Sequence, residues 1–141
     1  MNKGVYRGQS IYDRNWAVGN LLVFPNTGRM KILVWNDADL DFDQVEVIPE
    51  TVGQFTGVSD KYGKEIFEGD YIVLDNDVKK IFKVKDGVVR FGRGGFFVTE
   101  FDSLHSLDVL ASWDGILRGK VIGNIHDNPN LSIEEYANGG N

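Results

Sequence analysis

The chain has 141 residues, a formal charge of −6 at pH 7 and no cysteine. The lack of cysteine excludes a disulfide scaffold and any thiolate metal site, and the negative charge opposes broad electrostatic affinity for nucleic acid. Hydrophobic residues make up 42% of the sequence, which is enough for one good core or two small ones. No apolar stretch has membrane-spanning length and none follows Met1-Asn2-Lys3-Gly4, so we expect a protein of the host cytoplasm with no membrane partner.

Short apolar runs separated by turn residues predict a β-meander over residues 1–51. Because proline, asparagine and glycine mark the turns, the strands between them can be delimited. The pattern predicts a strand, a turn, a returning strand, an acidic loop and a further strand, at residues 16–24, 25–28, 30–35, 36–43 and 44–48.

The stretch over residues 51–74 carries the strongest turn chemistry in the chain. Asp60-Lys61-Tyr62-Gly63 offers a side-chain acceptor at its start and a glycine that can leave the turn with positive φ. The apolar residues on both sides predict a tight hairpin. Glu68-Gly69-Asp70 predicts a second turn, leading into an apolar strand at residues 71–74. By fold analogy, this succession favours a small SH3-like barrel.

The remaining segments continue the β pattern towards the C-terminus. Residues 80–85 predict a strand, Asp86-Gly87 a two-residue hairpin turn, and Gly92-Arg93-Gly94-Gly95 another turn between apolar strands. Residues 103–113 predict a loop with a short helical turn, because three leucines lie at helical spacing there. We expect a closing strand at residues 120–125 and a tail or short helix after residue 130, where Ser132 and Glu135 match a capping box.

Three separated motifs resemble those of a known family. PETVGQFTG at residues 49–57 and DKYGKEIFEGD at residues 60–70 resemble the signature of the YopX family of small phage and prophage proteins. VYRG at residues 5–8 and VIGNIHDNP at residues 121–129 resemble the opening and the close of that family. The resemblance covers nearly the whole chain and implies a YopX-type protein of phage or prophage context, without assigning an activity.

The polar residues near position 40 are a candidate calcium loop, because four carboxylates have the spacing of calcium ligands: Asp39, Asp41, Asp43 and Glu50. The glycine that such a loop needs for its sharp turn is replaced by Gln44, so we interpret the segment as a solvated acidic loop.

The two histidines, His105 and His126, lie close in sequence to Asp108 and Asp127 and could contribute to a metal site. Their spacing does not enforce a shared geometry, and we predict no metal and no cofactor.

The carboxylates Glu65, Glu68 and Asp70 could serve in acid–base catalysis. Carboxylates at turns more often accept backbone N–H bonds, so we predict that the protein is not an enzyme. A small hydrolase that uses Glu68, Asp70 and His126 is the remaining catalytic hypothesis.

Basic residues concentrate between residues 75 and 95, and they form one candidate interaction surface: Lys79, Lys83, Lys85, Arg90 and Arg93. On the predicted strand, Lys83 and Lys85 share one face while Phe82 and Val84 share the other. We favour a solvated barrel face; the alternative is a surface for nucleic acid or an acidic partner.

These patterns predict a mainly β fold with a small SH3-like β-barrel over residues 52–130. They place an N-terminal β-meander (1–51) against the barrel, a tail or short helix at residues 131–141, and at most short helices. We predict a non-enzymatic phage or prophage accessory protein that acts as a protein-interaction or assembly module. Its partner is a second copy of itself, in a homo-oligomer, or another phage or host protein. The alternative is a nucleic-acid-binding small-barrel protein that uses the hairpins of residues 79–93.

Overall fold

The computed structural model of the chain describes residues 5–92, 94–100 and 103–131. The protein is 54% strand and 12% helix, and its sheets are antiparallel, which confirms the mainly β prediction. The chain divides into two compact units, unit 1 (Met1–Phe55) and unit 2 (Thr56–Asn141).

Unit 1 contains four strands of a meander, a 3₁₀ helix at Pro49–Thr51 and the start of a fifth strand. The strands are β1 (Tyr6–Gln9), β2 (Trp16–Phe24), β3 (Arg29–Asn36), β4 (Asp41–Val47) and β5 (Gly53–Ser59). Their spatial order is β4-β3-β2-β1-β5. The predicted strands are confirmed, but the acidic loop is shorter than expected, because the Asn36 side chain accepts the N–H groups of Ala38 and Asp39 and closes the hairpin early.

The meander curls, because the end of β4 bonds back to the end of β1. The N–H of Ile48 donates to the Gln9 carbonyl at 2.8 Å, and that of Ile11 donates to the Glu46 carbonyl at 3.0 Å. Gly8 permits this approach, since a Cβ there would lie 2.9 Å from the Cβ of Val47. The side chains enclosed by the curl include Ala17, Ile32 and Val47.

The predicted hairpin around Gly63 is present in unit 2. The end of β5 and β6 (Glu65–Phe67) flank a turn in which the Asp60 N–H donates to the Lys64 carbonyl at 2.8 Å. Gly63 has φ of 84° and Gly69, in the second turn, has φ of 94°, so both predicted glycine turns are confirmed. The chain then enters β7 (Asp70–Leu74), as expected.

Four further strands join β7 in the main sheet of unit 2: β8 (Gly87–Gly92), β9 (Gly95–Glu100), β10 (Ser103–Ser106) and β11 (Gly119–Asn124). The helix α2 (Leu107–Leu110) follows β10. The strand order is β10-β9-β8-β7-β11. Within the described residues the edge strands β10 and β11 do not pair, so the closed barrel expected over residues 52–130 is not found. Helical side chains cover the core instead of a closing strand, because Val78 in α1 (Asn76–Phe82) and Leu107 and Leu110 in α2 are buried.

The prediction of a strand at residues 80–85 is wrong, because α1 ends at Phe82 and the rest of this segment forms no strand. β7 pairs directly with β8, with Ile72 opposite Gly87, so the chain between them is a connection and not a strand of the sheet. Asp86-Gly87 is therefore not a hairpin turn. Lys83 ends the helix in the left-handed conformation, at φ of 53°.

The remaining predictions are confirmed in part. The short helical turn expected within residues 103–113 is α2, but the strand β10 before it was not predicted. The closing strand is present as β11. The capping box at Ser132 and Glu135, and with it the short terminal helix, lies outside the described residues.

Candidate interaction surfaces

Two carboxylates of the signature motif are buried and bonded to backbone. Asp60 accepts the N–H groups of Tyr62 and Lys64, both at 2.9 Å, and its second oxygen accepts the N–H of Val121 at 3.0 Å. Asp70 accepts the N–H of Phe67 at 2.8 Å. These bonds hold the two turns and tie the hairpin to β11. The geometry favours the structural interpretation of Asp70 over the catalytic one.

The acidic segment of unit 1 has the geometry of a β-hairpin. Asp41 and Asp43 lie on β4, and the Nδ2 group of Asn36 donates to Asp39 at 3.2 Å and to Asp43 at 3.0 Å. Glu50 lies apart from them in the 3₁₀ helix. Over the described ranges, no group of three or more histidines and carboxylates could hold a metal ion.

Of the two histidines considered for a metal site, His126 lies in the turn after β11. It is half-buried, and its N–H donates to the Asn124 side chain at 3.0 Å. The side chain of His105 lies outside the described residues.

The structure separates the predicted basic residues. Lys79 is half-buried, and its Nζ group forms an ion pair with the buried carboxylate of Asp86 at 3.1 Å. Asp86 also accepts the N–H of Leu74 at 2.8 Å, so this pair fixes the connection between β7 and β8.

The other cations lie on different elements. Lys83 ends α1, Lys85 lies in the connection and Arg90 lies on β8; all three are exposed, and Arg93 is outside the described residues. The prediction that Lys83 and Lys85 share one face of a strand was wrong, because no strand forms there. The basic surface itself stays a prediction.

A different surface in unit 1 displays large apolar side chains. Residues directly opposite each other in paired strands share a face, and alternate residues share it along a strand. Leu21 opposes Ile32, which is fully buried, so this pair faces the inner side of the sheet. The residues directly before and after them along each strand therefore point to the opposite, outer side. That side carries Leu22, Phe24, Trp35 and Phe42, here called the aromatic face. They are 39%, 38%, 50% and 46% exposed.

Local contacts hold the aromatic face in place without covering it. The rings of Trp35 and Phe42 meet edge to face, with centroids 5.2 Å apart. The indole Nε1 of Trp35 donates to Asp37 at 2.6 Å. Lys31 places its Nζ group 5.6 Å from the centre of the Phe24 ring. The rings are therefore ordered as well as exposed.

An ion pair borders this face. Arg29 donates from Nε to a carboxylate oxygen of Glu46 at 2.9 Å, and from a terminal nitrogen to the other oxygen. The hydrogen bond from Arg29 lowers the pKa of Glu46, and the bond to Glu46 raises the pKa of Arg29. Both groups stay charged around neutral pH.

Sequence reasoning missed the aromatic face, although a signal was present. The strands read WAVGNLLVF and RMKILVWN, with apolar residues at consecutive positions instead of alternating ones. In an antiparallel sheet, such a run places apolar side chains on both faces. The run therefore predicts either a second layer or an exposed apolar surface.

The comparisons with known proteins agree with the resemblance of the three motifs. The family described as YopX protein matches residues 5–132. This chain belongs to the YopX family. No curated protein gives a significant match.

A solved structure supports the fold of this YopX protein. The crystal structure of protein EF1440 from Enterococcus faecalis is similar to it with a TM-score of 0.52 and 23% sequence identity, over 90% of this chain and 96% of the other. Within the described ranges, neither helix has the length and apolar character needed to cross a membrane.

Proposed function

We propose that this YopX protein is a non-enzymatic phage or prophage accessory protein that works as an assembly module, by binding a second copy of itself through the aromatic face. One observation carries the proposal: ordered aromatic rings stand half-exposed on the outer side of the unit 1 sheet. Contiguous exposed apolar patches with a polar border are typical of protein interfaces. Tryptophan is among the residues that contribute most to binding energy.

The charge pattern supports a second copy as the partner. The aromatic face carries Arg29 and Lys31 together with Glu46, so it presents both signs of charge. A two-fold interface brings the same patch from both copies together, and it therefore needs a self-complementary surface. The aromatic face meets that requirement, because its apolar side chains are bordered by the ion pair of Arg29 with Glu46, whose charges cancel within one copy.

The edge of the same sheet is less suited to association. β4 lies at the end of the strand order of unit 1 and carries Asp41 and Asp43, both exposed. Charged residues on an edge strand disfavour the addition of another strand. Association therefore uses the face and not the edge.

The alternative, nucleic-acid binding by the basic surface, receives less support. Lys79 is engaged with Asp86, and the exposed cations Lys83, Lys85 and Arg90 lie on a helix end, a connection and a strand. The chain also has a net charge of −6, which opposes long-range attraction to phosphates.

Sedimentation velocity over a range from micromolar to millimolar protein tests the proposal. We expect wild-type protein to form dimers as its concentration rises. The double variant Trp35→Ser with Phe42→Ser should remain monomeric, because the loss of two large exposed aromatic side chains removes most of the interface energy.

Trp113→Ser is the matched control, since Trp113 is 99% exposed and belongs to unit 2. It should associate like wild type. Loss of association in the control but not in the double variant would contradict the proposal. Tight binding of wild type to DNA or RNA at physiological salt, lost when Lys83 and Lys85 become glutamate, would favour the alternative.

A further inference from the structure

A groove of about 630 Å³ opens in unit 1, between the loop before β2 and strands β2, β3 and β4. Its floor includes Ala17, Val34 and Val45, and its mouth includes Tyr12, Asp13 and Asp43. None of the four residues of the aromatic face lines it. The volume lies within the range of small ligand sites, roughly 300–1,000 Å³.

Asp43 brings a carboxylate to the apolar lining of the groove. Asp43 pairs with Val34 across β3 and β4, so it lies on the same side of the sheet as the apolar floor. Its side chain is exposed, so its charge stays hydrated and is accessible to a cationic group that enters the groove.

The carboxylates at the mouth are not neutralised. Asp13 accepts bonds from the N–H and the side-chain amide of Asn15, at 2.9 and 3.0 Å, and Asp43 accepts one from the side-chain amide of Asn36. These donors are neutral, and in the described part of the chain no cationic side chain pairs with either carboxylate. Glu46 also lines the groove, but its charge is balanced by Arg29.

We propose that this groove binds the side chain of an arginine from a peptide segment of a partner protein. The apolar floor fits the aliphatic part of that side chain. Its guanidinium group would meet the carboxylates at the mouth, where charge-assisted bonds are strong. The ring of Tyr12, which is 85% exposed, can stack on the guanidinium.

The inference goes beyond the proposed self-association and is independent of it. None of Leu22, Phe24, Trp35 and Phe42 lines the groove, and Glu46 lies at the border of both surfaces. The variants that test self-association therefore leave the residues of the groove unchanged, and the two proposals are tested separately.

The first experiment compares two short blocked peptides. One is Ala-Gly-Arg-Gly-Ala, and the other has citrulline in place of arginine, which keeps the shape but removes the charge. Each is titrated into ¹⁵N-labelled full-length protein and followed by NMR. We expect the arginine peptide to bind at least about tenfold more tightly than the citrulline peptide, because the citrulline peptide lacks the charged contact. Its shifts should centre on Tyr12, Asp13, Ala17 and Asp43.

The second experiment changes the carboxylates. Asp13→Asn with Asp43→Asn keeps an acceptor oxygen for the backbone N–H of Asn15 and for the side-chain amide of Asn36, so the local turns are retained although the bond from the Asn15 side chain is lost. We expect this variant to bind the arginine peptide at least about tenfold more weakly. The control, Asp41→Asn with Asp108→Asn, makes the same change in net charge at exposed positions outside the groove and should bind within about twofold of wild type.

Tyr12→Ala gives a third test that does not depend on the carboxylates. Because Tyr12 is so exposed, its removal should leave the fold intact and reduce affinity by roughly two- to fivefold.

Equal binding of the two peptides would overturn the proposal. The proposal would also be overturned if the Asp13/Asp43 variant and its Asp41/Asp108 control lost the same amount of affinity, or if the NMR shifts centred outside the groove.

Discussion

The two units use their apolar residues in different ways. The core cluster of unit 2 contains eleven buried apolar side chains among the described residues, whereas that of unit 1 contains three. Unit 1 instead groups Leu22, Phe24, Trp35 and Phe42, all partly exposed, on one side of its sheet, whereas unit 2 also exposes apolar side chains, Trp113 among them, in addition to its larger core. Apolar area that is not used for folding is available for association.

The charged residues show the same contrast. Asp60, Asp70 and Asp86 of unit 2 are buried and accept backbone N–H groups. Asp13 and Asp43 of unit 1 are exposed and accept bonds from neutral donors beside a groove. We therefore infer a division between the units, in which the side chains named here stabilise the fold in unit 2 and are accessible to partners in unit 1.

The largest effect is expected from the core of unit 2. Ile72 is fully buried there, so Ile72→Ala should lower the free energy of unfolding by about 2–5 kcal/mol. Leu22→Ala on the aromatic face should cost less than about 1 kcal/mol, because the side chain is already partly hydrated. Urea denaturation measures both. Similar losses would mean that Leu22 contributes to a core.

The next effect concerns the carboxylate of Asp60. Asp60→Ala leaves three backbone N–H groups without their acceptor and should cost about 2–4 kcal/mol. Asp108→Ala, at an exposed position of unit 2, should cost less than about 1 kcal/mol. If thermal or urea unfolding showed no difference between the two variants, the buried carboxylate would not have the structural role assigned to it.

A smaller effect is expected at Gly63. Its φ of 84° is strained for any residue with a Cβ, so Gly63→Val should destabilise the protein by about 1–3 kcal/mol. Gly95→Val is the control: Gly95 lies in β9 without positive φ, and a Cβ there meets no atom within 4 Å. Equal unfolding midpoints for these two variants would rule out backbone strain as the cause.

The smallest effect is the pH dependence of the ion pair at the aromatic face. The pKa of Glu46 is lowered in the folded protein, so its contribution to stability is present above the pKa of the unfolded state. That contribution is lost as the pH falls through the folded-state value. Wild type should therefore exceed Glu46→Gln in stability at neutral pH and lose this advantage in acid. A difference that grows on acidification would have the wrong sign.

Local chemistry explains which parts of the fold could be predicted from sequence. The hairpin at Asp60 and Gly63 was predictable, because such a turn needs a side-chain acceptor at its first residue and a glycine with positive φ at its fourth, and the sequence has both. The segment at residues 80–85 was not, because its alternating lysines and apolar residues fit a strand equally well. The helix lies in the connection between β7 and β8, which pair directly, and the ion pair of Lys79 with Asp86 holds this connection, so its conformation depends on contacts outside the segment itself.

The candidate surfaces were less predictable than the fold. The density of basic residues along the sequence indicated Lys79 and its neighbours as a surface, but a lysine can form an ion pair within the protein, as Lys79 does with Asp86. The aromatic face depends on the register of three strands, and a sequence does not fix which of two apolar faces is covered. The groove requires residues from β2, β3 and β4 and the loop before β2 to converge.

The most direct test of the division between the units is site-specific photo-crosslinking in the native cell. A photoreactive phenylalanine analogue replaces Trp35 in one strain and Trp113 in another. The account predicts that position 35 yields a discrete cross-linked product, with the mass of two copies of this chain, and that position 113 yields none. A product with one other phage or host protein would retain the aromatic face as the interface and replace the second copy as partner. Products from position 113 alone would contradict the account.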